Sequence, residues 1–199
     1  IHLAGLSGVR DSLDNPVDYW TNNVVATYRI FNQFKNGPKI LYASSSTAYE
    51  PWRNPYAMSK HYMETIAPHN ALAMRFTTVY GPGAREKMLI PKILKDDVDY
   101  INVDHSRDFI HIDDILSAIG TLIVNPIPRK PKFVDVGTGV SNNLLDILSH
   151  LNMEVKDKRM GTIFERKDNK ANIGTLTKMG WMPTIDLFDY LKGEKNGDI

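Results

Sequence analysis

The stretch "KILYASSSTAYEPWRNPYAMSK", residues 39–60, joins a short apolar run to a capped helix through a serine-rich turn. Its first part, 39–45, lacks the polar alternation of a half-exposed strand and has the length and composition of a strand covered on both faces. In its last part, Asn54 suits an N-cap and Pro55 a first helical position. Tyr56 and Lys60 then fall one turn apart on a single helix face, where their functional groups can meet. Two more apolar runs, "ALAMRF" (71–76) and "KFVDVG" (132–137), repeat the strand pattern, and "IHLA" (1–4) reads as the end of another strand. Helical patterns separate them over about 17–34, from Asn54 to about Ala67, and from Asp113 to Val124, where "NPIPRKP" ends the third. Ser141 looks like the cap of a fourth helix striped by Leu144, Leu145, Leu148 and Leu151. Thr184 looks like the cap of a last one that Gly193 stops, and "EKNGDI" (194–199) has the composition of a disordered end.

This alternation specifies an α/β chain, a parallel sheet with helices on both faces. The stretches 81–106 and 140–199 break it, and are expected to fold together as a smaller lobe. Such a lobe would close over the carboxyl ends of the strands, where open α/β sheets bind ligands.

Composition narrows the classes of function. The 24 Lys and Arg balance 23 Asp and Glu, so net charge gives no reason to expect nucleic-acid or membrane binding. The 199 residues contain no cysteine, no apolar run approaching the roughly 18 residues of a membrane span, and no basic leader before "IHLAG". A cytoplasmic protein is expected. His2, His105 and His111 lack metal-ligand spacing, so no metal is expected either.

A tyrosine hydroxyl titrates near 10, and a neighbouring ammonium favours its phenolate. Tyr56 and Lys60 therefore make a candidate base, and Ser45, at the end of the first run, a candidate hydrogen-bond partner for a substrate alcohol. Tyr56 packed on the sheet, Lys60 in solvent and serines used as caps would fit the same residues.

Fragments along nearly the whole chain resemble the extended short-chain dehydrogenases/reductases of the nucleotide-sugar epimerase and dehydratase group. They are "HLAGLSGVRDSLDNPVDYWTNN" (2–23), "YASSSTAY" (42–49), "NPYAMSK" (54–60), "MRFTTVYGPG" (74–83), "RDFIHIDDI" (107–115), "VDVGTG" (134–139) and "MGWMP" (179–183), in that order. The resemblance implies a Rossmann-like core over 1–80 and 107–139 and a substrate lobe over 81–106 and 140–199. It implies a catalytic set Ser45, Tyr56 and Lys60, and NAD held with help from Ala4, Asn23, Tyr56 and Lys60. It assigns the diphosphate to Arg107 and Arg166 and the nucleotide ribose to the neighbourhood of Asp168, with Arg85 as a further substrate ligand.

The family's 4,6-dehydratases carry an Asp-Glu pair after the catalytic hydroxyl, and its decarboxylases keep the glutamate. Here Ser46 and Thr47 stand at those positions, which leaves reversible oxidation at a sugar carbon, as in 4-epimerases. Thr78 replaces the asparagine of galactose epimerases, as in the UDP-glucuronate 4-epimerase branch.

The resemblance also implies a first strand, a GxxGxxG loop and a second strand ending in an acid, none of which is present in the 199 residues. At ~30 residues per βαβ unit, about two units are missing. A fragment, a separate chain that supplies them, or a shortened relative are the three expectations, and a homo-oligomer or partner should cover the truncated sheet edge. The expected function is an NAD-dependent UDP-hexose or UDP-hexuronate 4-epimerase, or a piece of one. The alternative is a catalytically silent protein that binds a nucleotide sugar or a partner.

Overall fold

The computed structural model describes residues 1–196. Helices α1 (Val9–Asp14), α2 (Pro16–Tyr19) and α3 (Ala26–Phe34) precede strand β1 (Ile40–Ser45), and α4 (Pro55–Thr65) leads to β2 (Ala71–Phe76) and β3 (Thr78–Tyr80). Then come α5 (Leu89–Leu94), β4 (Tyr100–Asn102), β5 (Ser106–Arg107), β6 (Phe109–His111) and α6 (Ile112–Val124). The chain continues through β7 (Phe133–Val136), β8 (Asn142–Asn143), α7 (Leu144–His150), β9 (Asp157–Arg159), α8 (Gly174–Lys178) and α9 (Leu187–Asn196).

The three long apolar runs form one parallel sheet in the order β1-β2-β7, with Ile40 opposite Ala71 and Ala73 opposite Phe133. Side chains alternate along β1 and β2 and both faces are covered, which is why the runs show no polar alternation. Leu41, Leu72 and Met74 pack with Ile115, Ile119 and Leu122 of α6 on one face. Ile40, Tyr42, Ala71 and Ala73 meet Phe31 of α3 and Met63 of α4 on the other. The "IHLA" strand reduces to one bridge, His2 beside Tyr42 at the outer edge of β1. A second apolar cluster joins Ile90 and Ile93 of α5, Ile101 of β4, Ile147 and Leu148 of α7 and Leu191 of α9, while Leu176 and Trp181 pack into the sheet's own cluster. Among the described residues no helix is long and apolar enough to cross a membrane.

Helix boundaries depart from expectation where two polar residues compete for a cap. Asn143, not Ser141, caps α7 by accepting from Leu145 N at 2.9 Å, and the Ser141 hydroxyl donates to Asp168 at 2.6 Å. The Asp186 carboxylate accepts from the N–H groups of Phe188 and Asp189 at the start of α9, while Thr184 is drawn off to Asp114. Gly193 does not stop α9, which runs on to Asn196, so 194–196 of the expected disordered end are helical and 197–199 lie outside the described residues. The helix expected over 17–34 is interrupted by a π-helical turn, Trp20–Val25, and such turns often mark functional sites.

One ion pair lies inside the fold. Arg75 of β2 meets Glu64 of α4 through Nε–Oε1 (2.9 Å) and Nη2–Oε2 (2.5 Å), with its guanidinium 3.6 Å from the ring centre of Phe133 and 4.1 Å from that of Tyr49. Glu64 also accepts from the Ser44 hydroxyl, so the pair ties α4 to both β1 and β2. Removing one partner strands the other charge, whereas removing both does not. Glu64→Gln should cost about 3 kcal/mol in urea unfolding, and Glu64→Leu combined with Arg75→Leu distinctly less. A double variant as damaged as the single one would contradict this.

Candidate active site

β1 ends at Ser45 and the chain turns at once into a short 3-10 helix, Ser46–Tyr49. Ser45 caps that turn, its Oγ accepting from Thr47 N at 3.2 Å and from Thr47 Oγ1 at 2.9 Å. With its lone pairs so engaged, the Ser45 hydroxyl is left to donate its proton. A second 3-10 turn leads to Asn54, which caps α4 by accepting from Ala57 N at 2.8 Å, with Pro55 following. The first turn of α4 thus sets Tyr56 and Lys60 over the end of β1, and Ser45, Tyr56, Lys60 and Arg85 line one pocket of about 380 Å³. A wider groove of about 530 Å³, between Thr138 and the 170–174 stretch, has Lys170 as its one charged lining residue and gathers no comparable chemistry.

Lys60 is 4% exposed and its ammonium donates to the Ala43 carbonyl at 2.8 Å. That is its one protein hydrogen bond among the described residues, which leaves two donors for a ligand. Burial pulls its pKa down to about 8, opposed by Glu64. Tyr56 moves the other way, because burial raises its pKa while Ser45 and Arg85 act to lower it. The contributions favouring the phenolate come from Ser45 and Arg85, where the spacing alone pointed to Lys60, whose Nζ lies 6.0 Å from the Tyr56 ring centre.

Asn23 occupies the π turn, fully buried, and holds the loop that roofs the pocket. Its Oδ1 accepts from Leu6 N (2.7 Å), and its Nδ2 donates to Leu6 O (3.0 Å) and Ser59 Oγ (2.9 Å). Gly5 is required at this approach, since a Cβ there would stand 2.8 Å from Asn23 Oδ1 and 3.3 Å from Lys60 Nζ. Ala4 is exposed between Leu3 and Gly5, which both line the pocket. Arg85 reaches across to donate to Ser7 O at 3.1 Å.

The remaining expected ligands lie outside the pocket lining. Thr78 Oγ1 accepts from Asn169 Nδ2 at 3.0 Å. Arg107 donates to Ser106 O (2.7 Å) and Lys167 O (3.1 Å), with His105 Nδ1 at 3.0 Å from its Nη2. Arg166 donates to Ser46 O (2.5 Å) and Glu50 Oε1 (3.2 Å), and Asp168 accepts from Ser141. The sequence alone does not mark Glu50, Thr47 or Asn169 as neighbours of the site, and Gly5 carries a local sign only in its residue type.

The cost of the buried ammonium is measurable. A shift from 10.5 to about 8 corresponds to roughly 3 kcal/mol of disfavoured charge at neutral pH. Between those values the unfolded chain binds more protons than the folded one, so this residue makes the fold more stable as pH rises from 8 to 10.5. Lys60→Met should stabilise the protein at pH 7 by on the order of 2–3 kcal/mol and remove that rise from the pH dependence of urea unfolding. A destabilised variant with an unchanged pH profile would contradict the assignment.

Residues 1–137 match the model of the NAD dependent epimerase/dehydratase family. A UDP-glucuronate 4-epimerase of Thermodesulfobacterium geofontis is 29% identical, over 98% of this chain and 71% of its own length. A CDP-abequose synthase of Salmonella typhimurium is 32% identical over 77% of this chain and 58% of its own length. Among solved structures, the UDP-glucuronic acid 4-epimerase of Bacillus cereus, in complex with UDP-glucuronic acid and NAD, superposes with a TM-score of 0.80 at 25% identity, covering 98% of this chain and 73% of that one. An NAD-dependent NDP-hexosamine 5,6-dehydratase gives a TM-score of 0.83 at 22% identity, covering 98% and 76%. With the parallel sheet, the capped Tyr56–Lys60 turn and the strand-end Ser45 in place, these matches lead to one conclusion: the chain belongs to the NAD dependent epimerase/dehydratase family.

Proposed function

We propose that this chain carries the catalytic and substrate side of a nucleotide-sugar 4-epimerase acting on a UDP-hexose or UDP-hexuronate. The observation that carries the reading is the convergence of Ser45, Tyr56 and Lys60 on one pocket at the carboxyl end of β1. Neither Ser46 nor Thr47 offers a carboxylate for eliminating water, which favours epimerisation over dehydration.

The residues present fit the nicotinamide end of the cofactor: Lys60 has donors to spare, and the side-chain-free approach of Gly5 leaves room beside it. Lys60 and Tyr56 would hold the nicotinamide ribose, with Asn23 bracing the loop above and Ala4 beside it. Held there, NAD⁺ would supply reversible hydride exchange at the sugar's C4.

The protein's own part is proton handling and grip. Ser45, its lone pairs occupied by Thr47, donates to the C4 oxygen and fixes its position. Tyr56 removes the proton of the C4 hydroxyl in one half of the reaction and returns it to the C4 oxygen in the other. Arg85, at the pocket mouth, faces the sugar's acidic or hydroxylated end. Arg107 and Arg166 take the diphosphate, Thr78 and Asp168 support the sugar and the nucleotide ribose, and 81–106 with 140–199 make up the substrate lobe. Because the diphosphate stays held, the keto sugar can turn over without leaving.

Tyr56→Phe should lower the interconversion of UDP-glucuronate and its 4-epimer in the presence of NAD⁺ by roughly 10²- to 10⁴-fold, while the Kd for UDP-glucuronate stays within about threefold. Full activity in the variant would refute the assignment of the base. A wild-type chain that binds UDP-glucuronate tightly but neither turns it over nor is stabilised by NAD⁺ would instead mark a nucleotide-sugar-binding protein.

A further inference from the structure

The segment 160–168 contacts the turns after β1 at Ser46, Arg53 and Asn54 and brings charges from four parts of the chain together. Glu50 pairs with Arg166 at 3.2 Å and with Arg53 through its other oxygen. Glu165 pairs with Arg10 at 3.2 Å and lies 3.6 Å from Arg107 Nη2. Both arginines assigned to the diphosphate therefore already face a carboxylate of the chain itself. The group is partly shielded, with side-chain exposures of 17% for Arg107 and Arg166, 15% for Glu165 and 25% for Glu50.

Two features set these carboxylates apart from structural ion-pair partners. Their contacts with Arg107 and Arg166 are long, beyond the 2.7–2.9 Å of an optimised charge-assisted hydrogen bond. The segment also does not depend on them to stay in place. Separate bonds fasten it: Asn54 Nδ2 to Phe164 O (2.8 Å) and Gly161 N to Asp104 Oδ1 (2.7 Å). Around Arg107 and Arg166 the cations Arg10, Arg53 and Lys167 and the carboxylates of Glu50, Glu165, Asp104 and Asp168 nearly balance, so a multiply charged anion enters by replacing a carboxylate rather than by adding to the group.

We propose that Glu50 and Glu165 are internal stand-ins for the ligand's phosphates: they offset the charge of Arg166 and Arg107, whose guanidiniums backbone carbonyls already position, and give way to a diphosphate. The inference rests on the reading of Arg107 and Arg166 as diphosphate ligands. It makes Glu50 and Glu165 affinity-determining residues, because every anion that enters must displace them. A diphosphate, with more oxygens and charge than a carboxylate, exchanges favourably, while a singly charged anion gains little.

The test is calorimetric titration of UDP into the wild-type chain and the variants Glu50→Gln, Glu165→Gln and Arg166→Ala, each checked by its melting temperature. Removing a partly exposed competing ion pair should tighten UDP binding by roughly two- to fivefold in each glutamine variant, and more in the double variant, while Arg166→Ala weakens it. If Arg166→Ala weakens binding but neither glutamine variant tightens it, the stand-in role is overturned and the diphosphate reading survives. If Arg166→Ala binds UDP like the wild type, or the wild type binds none, the diphosphate reading falls and the stand-in role with it.

Discussion

A positive charge is kept under the end of a parallel strand with a single backbone carbonyl to receive it. Lys60, on the first turns of α4, points its ammonium at Ala43 O, while the N–H of Ala43 is taken by His2 O. The geometry follows from the chain: β1 stops at Ser45, two 3-10 turns use up the distance to Asn54, and the capped helix that follows lays Lys60 back across the strand it has just left. The roof over that charge is equally local, because Asn23, displaced inward by a π turn, clips both polar groups of Leu6 and so places Gly5 against Lys60.

The contrast with the other buried cation shows why Lys60 reads as functional. Arg75 is matched by a two-point pair with Glu64 and stacked between two rings, and nothing about it invites a ligand. Lys60 has one acceptor and two idle donors, and burial pulls its pKa down toward the neutral range. Tyr56 beside it is pushed up by the same loss of solvent, so one pocket holds a reluctant base and a reluctant acid. Groups held in unfavourable charge states are characteristic of sites where a ligand completes the electrostatics.

Much of this was legible in the sequence because it is local. The β1, β2 and β7 runs were readable from unbroken apolar composition, and the Asn54–Pro55 start of α4 from its cap, which fixed Tyr56 and Lys60 on one face. What escaped was settled by tertiary partners. Ser141 and Asn143 are both good caps, and Asp168 decided between them by taking the serine. Thr184 lost its capping role to Asp114, and Thr78 turned its hydroxyl to Asn169, 91 positions along the chain. The π turn at Asn23 has no signature in a pattern of period 3.6, and the pairing of Arg166 with Glu50 across 116 positions leaves no trace in either neighbourhood.

The central claim is that Ser45, Tyr56 and Lys60 form one proton-handling site for a sugar hydroxyl. A crystal structure of the chain with UDP-glucuronate and NAD⁺ tests it most directly. The account predicts the C4 oxygen within hydrogen-bond reach of both Ser45 Oγ and Tyr56 Oη, with Lys60 on the cofactor side. A sugar whose C4 lies away from these hydroxyls, with the nucleotide bound elsewhere on the molecule, would contradict it.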